Sequence, residues 1–246
     1  MTIDNDDAQS FRTIGSGFQF SAISDDQLGA SEYTLVGIAA DKSSSVSGFS
    51  AEIEGCLKTS LQGCMSSPRV DNLLVRLLTF NSKLDEIHGY KLLADCPIGN
   101  YDGIIAPGGC TSLYDACIST IDSLATYGQQ LIKNKYTANG LSVIITDGCD
   151  VGSTQTLKAV KEAVERSRRM ECLESILNIL IGINVQDRDV HDALEQLQRE
   201  AGFNQYIEAK DATPKTFARV AGFISKSISS QSQAIQTGKA STLITF

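Results

Sequence analysis

Oxygen-bearing side chains gather in three separated segments of the 246-residue sequence. The segments are DKSSS at 41–45, GGCT at 108–111 and TDG at 146–148. Carboxylates and hydroxyls without imidazole or thiolate are hard ligands, which select Mg²⁺, Mn²⁺ or Ca²⁺ over zinc or copper. These residue types predict a site for a divalent cation, provided that the fold brings the three segments together.

Each segment lies at the end of a predicted strand or the start of a predicted helix. The apolar run at 33–40 predicts a buried strand that ends directly before Asp41, and LSVIITD predicts another that ends on Asp147. The segment GGCT precedes a helix predicted over 112–132. Ser43 and Ser45 are two residues apart in an extended turn, so their hydroxyls can point the same way.

The rest of the sequence alternates between strands and helices. Further strands are predicted at VDNLLVRLLTFN, LDEIHGYKLL, SILNILIGINV and FNQYIEA, the first two forming an antiparallel hairpin. Further helices are predicted over 46–65, 154–170, 189–201 and 213–228. This alternation predicts an open, mostly parallel α/β sheet with helices on both faces. Such sheets bind ligands at the carboxyl ends of their strands, where all three segments would lie.

The order of these motifs resembles the von Willebrand factor type A (integrin I-like) domain. The matching pieces are DKSSS at 41–45, GGCTSLYDA at 108–116 and VIITDG at 143–148, and the resemblance covers about residues 33–228. It implies a Rossmann-like open sheet, mostly parallel with one antiparallel edge strand. We expect an N-terminal arm over 1–30, a von Willebrand factor A domain over 31–229 and a flexible Ser/Gln-rich tail over 230–246.

The same resemblance implies a metal-ion-dependent adhesion site (MIDAS). In that family, two serines and a threonine contact Mg²⁺, Mn²⁺ or Ca²⁺, and two aspartates act directly or through water. Carried over, these residues are Ser43, Ser45 and Thr111, with Asp41 and Asp147 as the aspartates. The implied function is a non-enzymatic interaction module that binds a Glu or Asp carboxylate of a partner protein. Such a module would serve as an intracellular adaptor or assembly factor.

Other interpretations of these residues stay open. Asp41 and Ser45 could each be only an N-cap. A Mg²⁺-dependent phosphatase or phosphotransferase would use Asp41 as its nucleophile. That class usually has a second aspartate two residues later, where this chain has Ser43. A structural virion or shell component with a vestigial metal site is a third alternative.

Five residues beside the motifs carry separate expectations. Lys42 is expected to face solvent, and Ser44 to point away from the metal and to tolerate alanine. Asp115 is interpreted as a capping or packing acid rather than a ligand. Cys110 and Cys149 are expected near the site as small buried thiols, with a redox switch as the minority hypothesis.

Composition excludes several other classes of protein. The formal net charge is -8, which argues against nucleic-acid binding by phosphate neutralisation. No apolar run reaches the roughly 18 residues of a membrane span, and the start lacks the pattern of a signal peptide. We therefore expect a cytoplasmic location. The two histidines, His88 and His191, lie far apart in the sequence, and no CxxC pair exists, so the sequence favours neither a histidine-dependent hydrolase nor a zinc ribbon.

Overall fold

The computed structural model of the chain describes residues 8–239 and 241–246. One sheet runs through these residues. Its strands are β1 (Ala8–Arg12), β2 (Gln19–Ile23), β3 (Glu32–Asp41), β4 (Leu73–Phe80), β5 (Leu84–Leu92), β6 (Thr137–Thr146), β7 (Ile176–Ile183) and β8 (Gln205–Ala209). The α-helices are α1 (Ser50–Met65), α2 (Leu113–Lys133), α3 (Leu157–Arg169), α4 (Arg188–Ala201) and α5 (Pro214–Thr237).

The strands are arranged in the order β1-β2-β5-β4-β3-β6-β7-β8. Strands β4, β3, β6, β7 and β8 are parallel to one another, and β5 is antiparallel to β4. The predicted fold class is confirmed: the sheet is mostly parallel, and β5 is the antiparallel strand at the edge of its six-stranded central part. Counted from β3, the central strands follow the order 3-2-1-4-5-6 of doubly wound α/β proteins.

Helices cover both faces of the sheet because the central strands are apolar on both sides. On β3, Val36 and Ile38 lie in the core cluster formed with α1 and α5, whereas Ala39 lies in the cluster formed with α2, α3 and α4. Successive side chains of a strand point to opposite faces. The near-continuous apolar run of β3 is therefore buried on both faces of the sheet. Its polar last residue, Asp41, lies at the end of this buried run.

Two N-terminal strands extend the sheet beyond β5. The sequence predicted only an N-terminal arm over 1–30, but β1 and β2 pair as an antiparallel hairpin, and β2 joins β5 through Ala22 and Tyr90. Phe20 packs edge-on against Tyr90 at 6.0 Å between ring centroids. Phe11 stacks on Phe20 within the hairpin and contacts Tyr127 of α2, and such contacts between distant residues leave no local periodicity that would predict the two strands.

Some helix boundaries differ from those predicted. A 3₁₀ helix over Ser44–Gly48 precedes α1, because the backbone at Phe49 leaves the helical region with φ -150°. Helix α5 continues to Thr237, about nine residues past the predicted end at 228, and stops at Gly238, which has φ 61°. Gln231, Ser232 and Ala234 are buried in this extension, so packing sustains a helix that the Ser/Gln-rich sequence does not indicate.

Residues 241–246 contact the body of the molecule. Gln205 donates to the carbonyl of Ile244 at 3.0 Å, and the ring of Phe246 packs against Phe223. Within the part of the chain that the structure describes, no helix is long and apolar enough to cross a membrane.

Candidate metal site

Asp41 ends β3 and is fully buried. Its Oδ1 accepts a hydrogen bond from the backbone N–H of Ser43 at 2.7 Å, and its Oδ2 accepts one from the Thr146 hydroxyl at 2.7 Å. Burial raises the pKa of Asp41 to about 6, although these hydrogen bonds lower it and the charge of Asp147 raises it further. The carboxylate is thus held in a fixed orientation, in surroundings that disfavour its charge.

Ser43, Ser45 and Asp147 continue the network. The hydroxyls of Ser43 and Ser45 lie 2.9 Å apart, and Ser45 Oγ donates to Asp147 Oδ1 at 2.8 Å. Burial raises the pKa of Asp147, while the bond from Ser45 lowers it. The predicted alignment of the two serine hydroxyls is present. Asp41 ends β3, and Asp147 follows β6. These neighbouring strands form the switch point of the sheet, from which the chain connections lead to opposite edges, and ligands of α/β sheets bind in the crevice at such a point.

The loop that carries Thr111 lies between the other two segments. The N–H of Gly108 donates to the carbonyl of Lys42 at 2.9 Å, and the N–H of Ser44 donates to the carbonyl of Gly109 at 3.2 Å. On the other side, the N–H of Val151 donates to the carbonyl of Thr111 at 2.8 Å. The three segments predicted from the sequence therefore meet at one edge of the sheet, with Thr111 largely buried between them.

Asp115 organises the loop that follows β6. Its carboxylate accepts hydrogen bonds from the N–H groups of Thr154 and Gln155, each at 3.0 Å. Its own N–H donates to the Ser153 hydroxyl at 3.1 Å. Asp115 thus has the packing role among its two interpretations from the sequence, because it bonds to the loop before α3, and it fixes the segment behind the candidate site.

The expectation that Lys42 faces solvent is wrong. Its side chain is 13% exposed, and its Nζ lies 2.7 Å from Asp85 Oδ2 on β5. Lys83 lies 3.3 Å from the other oxygen of Asp85. The antiparallel strand β5 brings Asp85 beside Lys42. Because this contact depends on the pairing of strands in the sheet, no local pattern in the sequence indicates it.

The ion pairs among residues 8–239 and 241–246 leave Asp41 and Asp147 without a cation. The two carboxylates of raised pKa and the hydroxyls of Ser43 and Ser45 form a set of hard oxygen donors with uncompensated negative charge. Such a set fits Mg²⁺, Mn²⁺ or Ca²⁺. The residues present therefore fit the kind of ion that the sequence predicted.

Three smaller features differ from expectation or were missed. Ser44 is exposed, and its hydroxyl donates to the carbonyl of Gly109 at 3.1 Å, so it supports the Thr111 loop. Cys110 is exposed and Cys149 is half-buried, so neither is the fully buried thiol expected. The Thr146 hydroxyl orients Asp41, a role that the sequence analysis did not predict. The position of Thr146 directly after the apolar run of β6 could have indicated it.

The sheet order and the loops at its carboxyl edge define a von Willebrand factor A-type α/β fold, and solved structures share it. The PilB minor pilin from Streptococcus sanguinis is similar over 94% of this chain and 76% of its own, with 13% identity and a TM-score of 0.58. The pilus adhesin SpaC from Lactobacillus rhamnosus GG has 11% identity and a TM-score of 0.58, covering 81% of this chain.

Proximal thread matrix protein 1 from the mussel byssus, in a structure described as having a zinc-occupied MIDAS motif, has 14% identity and a TM-score of 0.53 over 81% of this chain. The chain spans 30% of the length of SpaC and 46% of that of the thread protein. At these identities the likeness establishes the fold alone. Neither known family profiles nor curated protein sequences match this chain.

Proposed function

We propose that this chain is a metal-dependent protein-interaction module. Ser43, Ser45 and Thr111 would contact Mg²⁺, or Mn²⁺ or Ca²⁺ in its place, and Asp41 and Asp147 would hold the ion directly or through water. The observation that carries the proposal is the pair of carboxylates without a cation at the switch point of the sheet, Asp41 bonded to the N–H of Ser43 and Asp147 to the Ser45 hydroxyl, with the two serine hydroxyls 2.9 Å apart. A bound divalent ion would supply the missing positive charge.

The donor types also suggest what the ion would bind. Three of the five proposed ligands are neutral hydroxyls, so a bound ion would keep part of its positive charge and attract a further oxygen anion. A Glu or Asp side chain of a partner protein is such a ligand. Among the structural neighbours, a pilus adhesin and a thread protein with a zinc-occupied MIDAS motif are consistent with this role.

The burial of Asp41 favours a binding role over the phosphatase alternative. A nucleophilic aspartate must reach the phosphorus atom of its substrate, whereas Asp41 has 0% exposure and both of its oxygens accept protein hydrogen bonds. We therefore propose a non-enzymatic role as an adaptor or assembly factor. The cytoplasmic location remains a prediction from the sequence.

Mn²⁺ titration followed by electron paramagnetic resonance tests the metal site, because the signal of free Mn²⁺ decreases on binding. We expect saturable binding by the wild-type chain and a loss of affinity of at least tenfold in Ser43→Ala and Ser45→Ala. Ser47→Ala, an exposed serine in the same segment, is the matched control. Equal affinity in all four proteins would contradict the proposal.

Water-proton relaxation of the Mn²⁺-loaded protein tests the carboxylate docking. Acetate, and then a short glutamate-containing peptide, should displace metal-bound water and lower the relaxation enhancement, whereas an otherwise identical glutamine peptide should not. An unchanged signal with all three probes would contradict partner binding through the metal. Turnover of p-nitrophenyl phosphate that is lost in Asp41→Asn would instead support the phosphatase alternative.

A further inference from the structure

The turn between β4 and β5 reaches across the sheet edge to the Thr111 loop. The Asn81 side chain donates from Nδ2 to the carbonyl of Gly108 at 2.7 Å, and the Asn81 carbonyl accepts from the N–H of Ser112 at 2.7 Å. These two hydrogen bonds hold the loop on either side of Thr111. Asn81 is itself fixed, because its Oδ1 accepts from the N–H of Lys83 at 3.2 Å.

Ser82 contacts the middle of the same loop. Its Oγ accepts a hydrogen bond from the N–H of Cys110 at 2.9 Å. Gly109 has φ 78°, and a Cβ added there would lie 2.7 Å from Ser82 Oγ. The Ser82 hydroxyl thus occupies the space that a side chain at position 109 would need, and it lies against the backbone directly before Thr111.

We propose that Asn81 and Ser82 are positioning residues of the candidate metal site. They contact the backbone of residues 108, 110 and 112 and set the placement of Thr111. This inference rests on the proposed function, since it assigns a task to residues around the same site. The turn belongs to none of the three segments that carry the predicted ligands.

The chemistry of the loop explains why such support matters. Two adjacent glycines give the backbone of residues 108–109 wide conformational freedom. Mg²⁺ demands near-ideal octahedral geometry, so a misplaced hydroxyl binds it poorly. Groups that orient metal ligands typically change metal affinity by 10–100-fold when they are mutated. The turn lies outside the core, so its loss should lower metal affinity more than stability.

Mn²⁺ titration of the purified chain tests the assignment. Ser82→Ala should weaken Mn²⁺ binding about threefold, as expected for one hydrogen bond, and Asn81→Ala about tenfold. Ser82→Thr keeps the hydroxyl and should restore most of the wild-type affinity. Ser47→Ala should bind Mn²⁺ like the wild type. Thermal unfolding without metal checks that each variant is folded.

A double-mutant cycle with Thr111→Ala separates positioning from a general structural effect. If Ser82 acts through Thr111, Ser82→Ala should have no further effect on Mn²⁺ affinity once Thr111 is alanine. An equal loss in both backgrounds, or wild-type affinity in Ser82→Ala and Asn81→Ala, would overturn the positioning role alone. A wild-type chain that does not bind Mn²⁺ would overturn the proposed metal site and this role with it.

Discussion

Asp41 disfavours the folded state, although the proposed metal site needs its charge. Burial and the nearby Asp147 raise its pKa to about 6, so at pH 7 the folded chain holds an ionised carboxylate in poor surroundings. For an acid whose pKa is raised in the folded state, the free energy of unfolding decreases as pH rises from about 4 to 6, and the decrease is complete at pH 7.

Asp41→Asn should therefore stabilise the metal-free protein at pH 7, by about 1–3 kcal/mol, while it abolishes Mn²⁺ binding. The asparagine amide can donate to Thr146 Oγ1, whose proton can turn to the carbonyl of Gly148 at 3.1 Å. Urea unfolding in EDTA measures the change in the free energy of unfolding. A less stable variant would contradict the electrostatic account of the site.

His88 is a second buried ionisable residue whose charged form is disfavoured. Its Nδ1 lies 2.8 Å from the carbonyl of Gly89, and its Nε2 lies 2.9 Å from the Tyr101 hydroxyl. The carbonyl can only accept, so Nδ1 carries the proton and Nε2 accepts from Tyr101. Burial, aided by the charges of Lys91 and Arg76, lowers the pKa of His88 to about 4.

The depressed pKa of His88 predicts a loss of stability in acid. The unfolded chain takes up a proton near pH 6.5 and the folded chain only near pH 4, so stability falls as pH decreases through this window. Between pH 7 and 5 the contribution is roughly 2 kcal/mol. Urea unfolding of the wild type and His88→Gln at both pH values measures it, and an equal pH dependence would contradict the prediction.

At the scale of elements, the N-terminal hairpin depends on a close approach between β2 and β5. Ser21 donates to Glu86 Oε1 from its N–H at 2.9 Å and from its hydroxyl at 2.7 Å. The other oxygen of Glu86 lies 2.7 Å from Nε of the buried Arg76. A Cβ on Gly89 would lie 1.9 Å from the Ser21 carbonyl oxygen, so only glycine permits this pairing.

Gly89→Ala should displace β2 from β5 and destabilise the protein by about 1–3 kcal/mol, as overpacking typically does. Amide hydrogen exchange should increase over β1 and β2, while protection in β3 and β6 stays near the wild-type level. Gly99→Ala is the matched control, because a Cβ there meets nothing within 4 Å. Unchanged exchange in β2 of Gly89→Ala would contradict the proposed steric role of Gly89.

At the scale of the whole molecule, the C-terminal residues join α5 to the edge of the sheet. The Phe246 ring packs edge-on against Phe223 with centroids 5.8 Å apart, and the Arg219 guanidinium lies 4.4 Å from the centroid of the same ring. Ser241 donates to Gln231 Oε1 at 2.8 Å. The last aromatic residue thus links the tail to the long helix that supports one face of the sheet.

Phe246→Ala should lower the free energy of unfolding by about 1–2 kcal/mol, through the lost aromatic and cation–π contacts. The exposed Thr245→Ala is the control and should be neutral within about 0.5 kcal/mol. Thermal unfolding measures both. Equal midpoints for Phe246→Ala and Thr245→Ala would show that the tail contributes no packing energy.

The alternation of strands and helices, and the edge at which the polar segments meet, could be predicted from the sequence alone. Apolar runs such as that of β3 and the helical spacing in α2 are local patterns. Parallel strands with right-handed crossovers direct their carboxyl ends to one edge. These two facts place Asp41, Ser43, Ser45 and Asp147 together without any coordinates, whereas Thr111 precedes a helix and was assigned to the same site through the resemblance to the von Willebrand factor A domain.

Only the tertiary structure decided which distant residues support that site. Three contacts join residues of different elements. They are the ion pair of Lys42 with Asp85, the hydrogen bonds of Asn81 and Ser82 with the Thr111 loop, and the pairing of β2 with β5. Such contacts arise from sheet register and loop packing, which produce no periodic pattern of residues in the sequence. The sequence determined what the site is made of, and long-range packing decided how its parts are held.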